Sequence, residues 1–402
     1  MKPSLPARRA LHPPSNSRTP AKRWTKIAVP NETPAAGIER ESPRGVRIGR
    51  APFLLLGVLA LLMGLWGGLA RLGLQLGPVP PEAIALHGPL MLAGFLGTLL
   101  GLERAVATRK PWAYSAPLFT GIGSLLLIAT AGGAFARSLI ALGSIAMAAS
   151  LLQSLLRLRA RWNATQLLGA LSFATGSVLF AAGEPFPHVL PWWQAFLVLT
   201  IVGERLELSR VLEPTNSALW LFGGIAGLLL LGAVLQSAGW YAAGVRLSGI
   251  SWLGLALWLA RWDLARKSFR RPALSRYVAT AVLVGHAWLA AAGALAIGFA
   301  GVGAGLGYDA TLHALLLGFV FSMIFGHAPL IFPTVLGLPI VYRPRFWVHL
   351  GLLHAGVLLR VTSDLFTWSE GRLWGGSLNA VAILLFLIQT ASSLGRKAEA
   401  SG

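Results

Sequence analysis

The dominant pattern in the sequence is a succession of apolar stretches of about 20 residues. At ~1.5 Å per residue, each stretch is long enough to cross a hydrocarbon layer of ~30 Å as a helix. The connections are short and rich in glycine and proline. The pattern predicts an all-α, polytopic membrane protein of about twelve transmembrane helices. They lie near 51–72, 82–104, 112–132, 136–156, 163–182, 189–209, 216–236, 239–260, 276–299, 308–333, 344–363 and 373–393 (spans 1 to 12).

The basic residues separate the connections into two sets. Cytoplasmic loops carry an excess of Lys and Arg, and the even-numbered connections and the C-terminal end hold such an excess. The odd-numbered connections hold almost none, and a few arginines lie in or beside helix ends (Arg71, Arg137, Arg246, Arg360 and Arg372). An error of one helix would scramble this alternation. The sequence therefore predicts that both termini lie on the cytoplasmic side of an inner (cytoplasmic) membrane.

The chain is predicted to have one membrane domain, 51–393, between two tails. Residues 1–50 are dominated by Pro, Ser, Arg and Lys without an apolar period, which predicts a disordered basic tail. The following stretch is long enough to span and lacks a clear cleavage site, so we expect the tail to be retained and attracted to anionic lipid. Residues 394–402 form a short cytoplasmic tail.

The amino-acid composition excludes several kinds of binding site. Of the 402 residues, 55% are apolar and 12% charged, with a net charge of +20. The basic residues are spread between apolar runs rather than gathered on a soluble face, which argues against nucleic-acid binding. The chain has no cysteine, so disulfides, thiolate metal sites and covalent haem attachment are excluded.

Two histidines lie at matching positions near the outer ends of spans 2 and 10. His87 and His313 each lie five residues into a span that runs from outside to inside. Each belongs to a Leu-His pair followed by an apolar stretch, a Gly-Phe pair and a glycine with polar neighbours. Span 6 gives a weaker echo of this pattern. A repeat at spans 2, 6 and 10 predicts three four-helix arcs around a pseudo-threefold axis.

Two imidazoles at one depth suit the axial positions of a b-type haem held between helices. Asp309 lies four residues before His313 on the same helix face, where it could orient the imidazole or pair with a polar group of the ligand. The alternative is that both histidines only form interhelical hydrogen bonds.

The remaining intramembrane polar residues form an inner layer. His327 lies 14 residues beyond His313, roughly 21 Å along one helix, so the two cannot share a metal. A second metal centre of His327, His286 and either His349 or His354 is one interpretation. The others are a proton or ion pathway, or salt bridges of the acids to Arg104, Arg205 or Arg210. The candidate acids are Glu103, Glu204 and Glu207.

Two prolines follow His327. Pro329 and Pro333 are expected to break span 10 and to free backbone carbonyls. Such carbonyls are tolerated in a membrane where another group satisfies them or a cavity lies alongside. A buried polar site is therefore expected near this break.

The topology and these residues resemble the NnrS family of membrane haem and copper proteins linked to nitric oxide metabolism. More distantly they are similar to the haem-copper oxidase catalytic subunit. The resemblance rests on 86–95 and 309–327, with His87, His313 and His327 as the marked positions. It implies bound haem and possible copper. The oxidase His pattern is missing from spans 6 and 10, which argues against an oxygen-reducing centre.

Two other functions stay open. Twelve spans with both ends inside is also the major-facilitator layout, so a proton-coupled transporter using Glu103, Glu204 and His327 is an alternative. A structural or assembly factor with inert polar residues is another. The four-helix step of the repeat and the short connection at 210–215 favour the haem interpretation. No redox partner or small-molecule ligand is indicated.

Overall fold

The computed structural model describes residues 48–394 except 75 and 339. Twelve helices are long and apolar enough to cross a membrane, which confirms the predicted multi-pass helical protein. They are α1 Ala51–Arg71, α2 His87–Thr108, α3 Pro111–Ala129, α4 Ala134–Arg157, α5 Arg161–Ala182, α6 Phe186–Leu212, α7 Asn216–Ser237, α8 Tyr241–Trp262, α9 Leu274–Gly298, α10 Leu306–Leu336, α11 Phe346–Leu365 and α12 Ser369–Ala391. The regular structure of the described residues is helical apart from one bridge between Ile340 and Leu394.

Three helices form the interior of the bundle. In their most apolar segments α2 and α6 are 72% buried and α10 is 61% buried, against 28–50% for the other nine helices in the described chain. The three also meet pairwise: Arg104 of α2 pairs with Glu204 of α6, Arg205 of α6 bonds His327 of α10, and rings of α2 and α10 face each other. The spans singled out by the sequence repeat are thus the central helices. The pseudo-threefold axis and the orientation of the termini stay predictions.

Neighbouring helices approach closely where both carry glycine. A Cβ atom at Gly249 of α8 would lie 2.7 Å from the carbonyl oxygen of Gly293 in α9, and one at Gly293 would lie 2.6 Å from that of Gly249. Small residues allow such backbone contact in lipid, where the hydrophobic effect contributes little to helix association.

The predicted second span is not one continuous helix. A short helix, Pro81–Ala85, ends at Leu86, whose φ of −95° and ψ of 13° are not helical, and α2 begins at His87. Pro89 explains the interruption, because it has no N–H to donate to the carbonyl of Ala85 and its ring crowds that oxygen.

The predicted break at Pro329 and Pro333 is wrong, because α10 continues through both prolines to Leu336. The reasoning about freed carbonyls nevertheless applies at one of them. Pro329 leaves the carbonyl of Phe325 without its helical donor, and the hydroxyl of Tyr277 donates to that oxygen at 3.1 Å. A side chain from α9 thus replaces the missing helical hydrogen bond.

Both predicted tails lie mostly outside the described residues. The last three residues of the N-terminal tail, Ile48–Arg50, form a 3₁₀ turn that leads into α1. Arg50 donates to the carbonyls of Thr334 and Val335 at 3.0 and 2.9 Å. Since these carbonyls belong to the end of α10, the start of the membrane domain is tied to the same end of the bundle.

Candidate functional site

The imidazoles of His87 and His313 are held in the same way. Nδ1 of His87 donates to the carbonyl oxygen of Gly64 in α1 at 2.6 Å, and Nδ1 of His313 donates to the carbonyl oxygen of Asp309 at 2.8 Å. A carbonyl oxygen only accepts, so each Nδ1 carries the proton and each Nε2 keeps its lone pair. Neither Nε2 has a hydrogen-bond partner in the described part of the chain. A neutral imidazole fixed in this tautomer is what a metal ligand requires.

Each of the two histidines stands just before a π-helical segment. These segments are Leu90–Gly97 in α2 and Ala314–Phe321 in α10, each eight residues long. Such segments are rare and occur often at functional sites. The sequence repeat between spans 2 and 10 therefore extends to the same local distortion of the helix, which the apolar pattern alone does not reveal.

Both imidazoles line one cavity of about 380 Å³. This volume falls within the range of ~300–1,000 Å³ that is usual for ligand and cofactor pockets. The cavity lies between α1, α2, the first residue of α6, α10, α11 and α12. Its walls are largely apolar and include Leu65, Leu69, Met91, Leu92, Leu96, Phe186, Leu312, Leu316, Leu317 and Phe321.

One end of the cavity carries charge. Arg71, Asp309, Arg360 and Arg372 line it together with Tyr308. The carboxylate of Asp309 pairs with Arg360 at 2.8 Å and with Arg372 at 3.3 Å. Arg372 also lies 3.0 Å from Asp364. Three guanidinium groups against two carboxylates leave this end with a positive excess, which favours an anionic group of a ligand.

Asp309 acts on His313 differently from the expected way. Its backbone carbonyl makes the short contact to Nδ1, whereas its carboxylate oxygen Oδ1 lies 3.4 Å from the same nitrogen. The carboxylate is engaged by the two arginines instead. Orientation of the imidazole thus comes mainly from the helix backbone, and Asp309 joins the imidazole to the charged end of the cavity.

His327 is engaged by a cation rather than left open for a metal. Its Nδ1 donates to the carbonyl of Met323 at 2.7 Å, and its Nε2 accepts from Nη1 of Arg205 at 2.8 Å. The lone pair that a metal would need is therefore occupied. Arg205 in turn makes a two-point salt bridge with Asp263, at 2.8 and 2.9 Å.

Asp263, just beyond the end of α8, is fully buried and also accepts from the backbone N–H of Ala265 at 2.7 Å. Burial alone would raise the pKa of this carboxyl group, but the charge and hydrogen bonds of Arg205 outweigh burial and hold that pKa below its ordinary value. His286 lies beside the pair, with Nε2 3.5 Å from the Asp263 carboxylate.

His349 and His354 belong to separate contacts. His349 bonds Gln389 through Nδ1 at 2.8 Å and lies 2.9 Å from the Tyr277 hydroxyl through Nε2. His354 accepts from the indole of Trp288 at 3.2 Å. Within residues 48–394, no group of three or more His, Asp or Glu side chains could hold a metal ion. The expected second metal centre of His327, His286 and a histidine of α11 is thus not assembled.

The comparison with known families covers this whole region. A family model described as a domain of unknown function (DUF8744) matches residues 50–394. The chain belongs to the DUF8744 family. No curated protein matches it. The DUF8744 match includes all twelve helices, both imidazoles and the charged end of the cavity, so the site lies within the matched region.

Two of the candidate acids, Glu103 and Glu204, lie around one arginine at the end of the bundle opposite to the cavity. Arg104 pairs with Glu103 at 2.5 Å and with Glu204 at 2.6 Å, and it donates to Gln166 at 3.0 Å. Glu207 is more exposed and lies 3.8 Å from Arg210. Of the interpretations that the sequence left open for these acids, salt bridging describes the contacts.

Arg360 and Arg372 were not predicted as site residues, because in the sequence they appear only as arginines in or beside helix ends. Arg360 is 7% exposed and lies five residues before the end of α11. An arginine inside an apolar span is costly unless it faces a partner or a cavity. That cost is the signal that could have identified it.

Proposed function

We propose that the chain is a haem-binding protein of the inner (cytoplasmic) membrane, of the NnrS-like kind, with His87 and His313 as axial ligands of a b-type haem. One observation carries the proposal. Two imidazoles on different helices line a single cavity. In each, Nδ1 donates a hydrogen bond to a backbone carbonyl, and Nε2 has no hydrogen-bond partner in the described part of the chain.

The rest of the cavity fits such a cofactor. The apolar side chains of α1, α2, α10 and α12 suit the faces of a porphyrin. The carboxylate groups at the edge of the haem would pair with the positive end formed by Arg71, Arg360 and Arg372. Within the described residues no ion pair engages Arg71, so one guanidinium is available for an anion.

The protein residues hold the two ligating imidazoles in place. The hydrogen bonds from Nδ1 fix the ring orientation and raise the basicity of Nε2. When bound, a haem with two histidine ligands supplies one-electron transfer. Electron transfer, or nitric oxide metabolism as in the family that the sequence resembles, is therefore the proposed role. Copper, which the resemblance also implies, would need a site that the described histidines do not assemble.

The proposal is tested by the visible absorption spectrum of the purified protein after expression with sufficient haem. We expect a Soret band that is lost or changed in His87→Ala and His313→Ala. The matched controls are His349→Ala and His354→Ala, which remove one buried and one half-buried histidine outside the cavity wall and should leave the band in place. A protein without a Soret band, or a band that is unchanged in the His87 and His313 variants, would refute haem ligation here.

A second candidate function is favoured by the ion network of Glu103, Arg104 and Glu204. Paired ionisable residues inside a helix bundle are typical of proton-coupled transporters. Substrate uptake that is abolished by Glu204→Gln and retained in the more exposed Glu207→Gln would favour a transporter. Uptake like that of the wild type in Glu204→Gln would exclude Glu204 as the coupling site.

A further inference from the structure

The connection between α8 and α9 carries the densest group of exposed basic residues in the described chain. Six lysine and arginine side chains are exposed there, whereas no other connection between the twelve helices has more than three. The six are Arg261, Arg266, Lys267, Arg270, Arg271 and Arg276. We name residues 261–276 the basic connection.

The positive charge of the basic connection is not offset by neighbouring acids. None of its six basic side chains forms a salt bridge with an Asp or Glu of the described residues. The single acid of the segment, Asp263, is fully buried and is paired with Arg205 of α6 at 2.8 Å. Like charges in so short a segment repel one another, and an anionic group bound from outside the chain would relieve this repulsion.

The position of the basic connection suits contact with lipid headgroups. It joins the ends of α8 and α9, which are both long and apolar enough to cross a membrane. Phe269, which is 45% exposed, stands between Lys267 and Arg270 in the sequence, and the guanidinium carbon of Arg261 lies 4.4 Å from the centre of the Trp262 ring. Aromatic side chains beside basic ones are typical of segments at the membrane–water interface. In the predicted orientation this end faces the cytoplasm, whose leaflet carries anionic lipid.

The start of the basic connection is fixed to the central helices. Asp263 accepts a hydrogen bond from the backbone N–H of Ala265 at 2.7 Å, and the short helix Ala265–Ser268 follows directly. Arg205, which holds Asp263, also donates to His327 of α10 at 2.8 Å. The first basic side chains therefore stand on an ordered segment, and ordered donors lose less conformational entropy when they bind a ligand.

We propose that the basic connection is a binding site for anionic phospholipid, whose phosphate groups pair with its lysine and arginine side chains while Phe269 contacts the acyl chains. Arginine can bind two phosphate oxygens at once through parallel hydrogen bonds, which suits it to such a site. This function goes beyond haem binding and does not depend on it. A lipid that binds the folded chain here stabilises the fold by mass action.

Thermal unfolding of the full chain in a neutral detergent tests the site, with either phosphatidylglycerol or the zwitterionic phosphatidylcholine added. The first fourfold variant removes charge from the basic connection by Arg266→Gln, Lys267→Gln, Arg270→Gln and Arg271→Gln. The matched control removes the same number of exposed charges from two other connections predicted to lie on the same side of the membrane, by Arg109→Gln, Lys110→Gln, Arg157→Gln and Arg159→Gln.

We expect phosphatidylglycerol to raise the unfolding midpoint of the wild type by several degrees more than phosphatidylcholine does. Each Lys or Arg beside an anionic surface strengthens binding by roughly fivefold. The first variant should therefore bind the anionic lipid at least about 100-fold more weakly and lose most of the rise, whereas the control variant should keep most of it. The rise in the wild type should also shrink at high salt, which screens exposed charges.

Three outcomes overturn the proposal. Equal midpoints with the two lipids show that anionic headgroups have no site on the chain. Equal losses in the two fourfold variants show that the response depends on positive charge in general and not on the basic connection. A rise of the same size with sodium phosphate or with polyglutamate shows that the segment binds free anions or an acidic protein instead of lipid.

The unfolding midpoint in phosphatidylcholine reports whether each variant is folded before the anionic lipid is added. If the first variant is not folded, its two halves replace it, one with Arg266→Gln and Lys267→Gln and the other with Arg270→Gln and Arg271→Gln. Each half should lose part of the rise. A full rise in both halves would equally overturn the proposal.

Discussion

Asp309 holds His313 through its backbone carbonyl, at 2.8 Å from Nδ1, while its carboxylate pairs with arginine. The two functions of Asp309 can therefore be separated by mutation, because a change of the carboxylate leaves the carbonyl in place. Asp309 thus connects the His313 imidazole, through its carbonyl, with the charged end of the cavity, through its carboxylate.

The first prediction concerns this carboxylate. Asp309→Asn removes one negative charge beside the cavity and keeps the hydrogen bond that orients His313. A bound haem should keep its histidine ligation, and its midpoint potential should rise. The interaction of one charge with a haem at ~10 Å, at an effective dielectric constant of ~20, has an energy of roughly 1–2 kcal/mol. This energy corresponds to about 40–80 mV for a one-electron couple. A redox titration of the Soret band measures the shift.

Glu370→Gln is the control for that titration, since it removes an equal charge from an exposed residue at the start of α12. Its potential should stay close to that of the wild type, because exposed charges are screened. Equal shifts in both variants would show that Asp309 has no special position relative to the haem.

The second prediction concerns the contact between α1 and His87. A Cβ atom at Gly68 would lie 2.6 Å from Cε1 and 2.8 Å from Nδ1 of the imidazole. Gly68→Ala should therefore displace the ring and lower haem occupancy at least about tenfold, as expected for misplacement of a metal ligand. Gly57→Ala, on the same helix, would meet its nearest atoms at 3.6 Å and should bind haem normally. Haem content per protein is the measurement.

The third prediction concerns the buried pair of Arg205 and Asp263. Asp263→Asn leaves Arg205 buried without a counter-charge, which should destabilise the fold by about 3–5 kcal/mol at neutral pH. The pKa of Asp263 is lowered in the folded state, so its ionised form stabilises the fold above the unfolded value of about 3.9. That stabilisation is lost as the pH falls through the lower, folded-state pKa.

Thermal unfolding of the detergent-solubilised wild type and of Asp263→Asn, from neutral to acidic pH, tests this dependence. The difference between the two midpoints should be largest near pH 7 and should shrink toward acidic pH. A difference that is constant across this range would contradict an ionised Asp263 in the folded state.

The fourth prediction concerns the crossing of α8 and α9. Gly249→Ala places a methyl group 2.7 Å from the Gly293 carbonyl oxygen, so the helices must separate. Overpacking of this kind costs about 1–3 kcal/mol, and the unfolding midpoint should fall by several degrees. Gly223→Ala, with no atom within 4 Å of the added Cβ, should not lower it. Equal midpoints for the two variants would show that the close contact is unimportant.

Part of the candidate site followed from the sequence and part did not. The equal depth of His87 and His313 could be predicted, because span direction and residue count fix depth in a bilayer. The partners of His327 could not. Arg205 lies 122 residues away, and whether two distant side chains meet depends on how each helix is rotated in the bundle. A second metal centre was one of three interpretations that depth alone left open, and in the described residues its candidate histidines have separate partners.

The effect of proline on helix continuity could not be predicted from the sequence. Pro329 and Pro333 were expected to end the helix, yet α10 continues through both. At Pro329, Tyr277 supplies a donor from another helix to the freed carbonyl of Phe325. Pro89 interrupts the predicted second span, where such compensation is not seen among the described residues. The same residue type therefore has opposite effects, according to which neighbour reaches the freed carbonyl.

The sequence by itself determined that this is a helical protein of twelve spans, because the thickness of the hydrocarbon layer sets a length that each apolar stretch must match. The sequence repeat also singled out α2, α6 and α10, which are the central helices of the bundle. Only the tertiary structure decided which polar groups meet: Arg360 and Arg372 with Asp309, and Arg205 with Asp263. The physical reason is that hydropathy acts along one chain segment, whereas ion pairs depend on the rotation and depth of several packed helices at once.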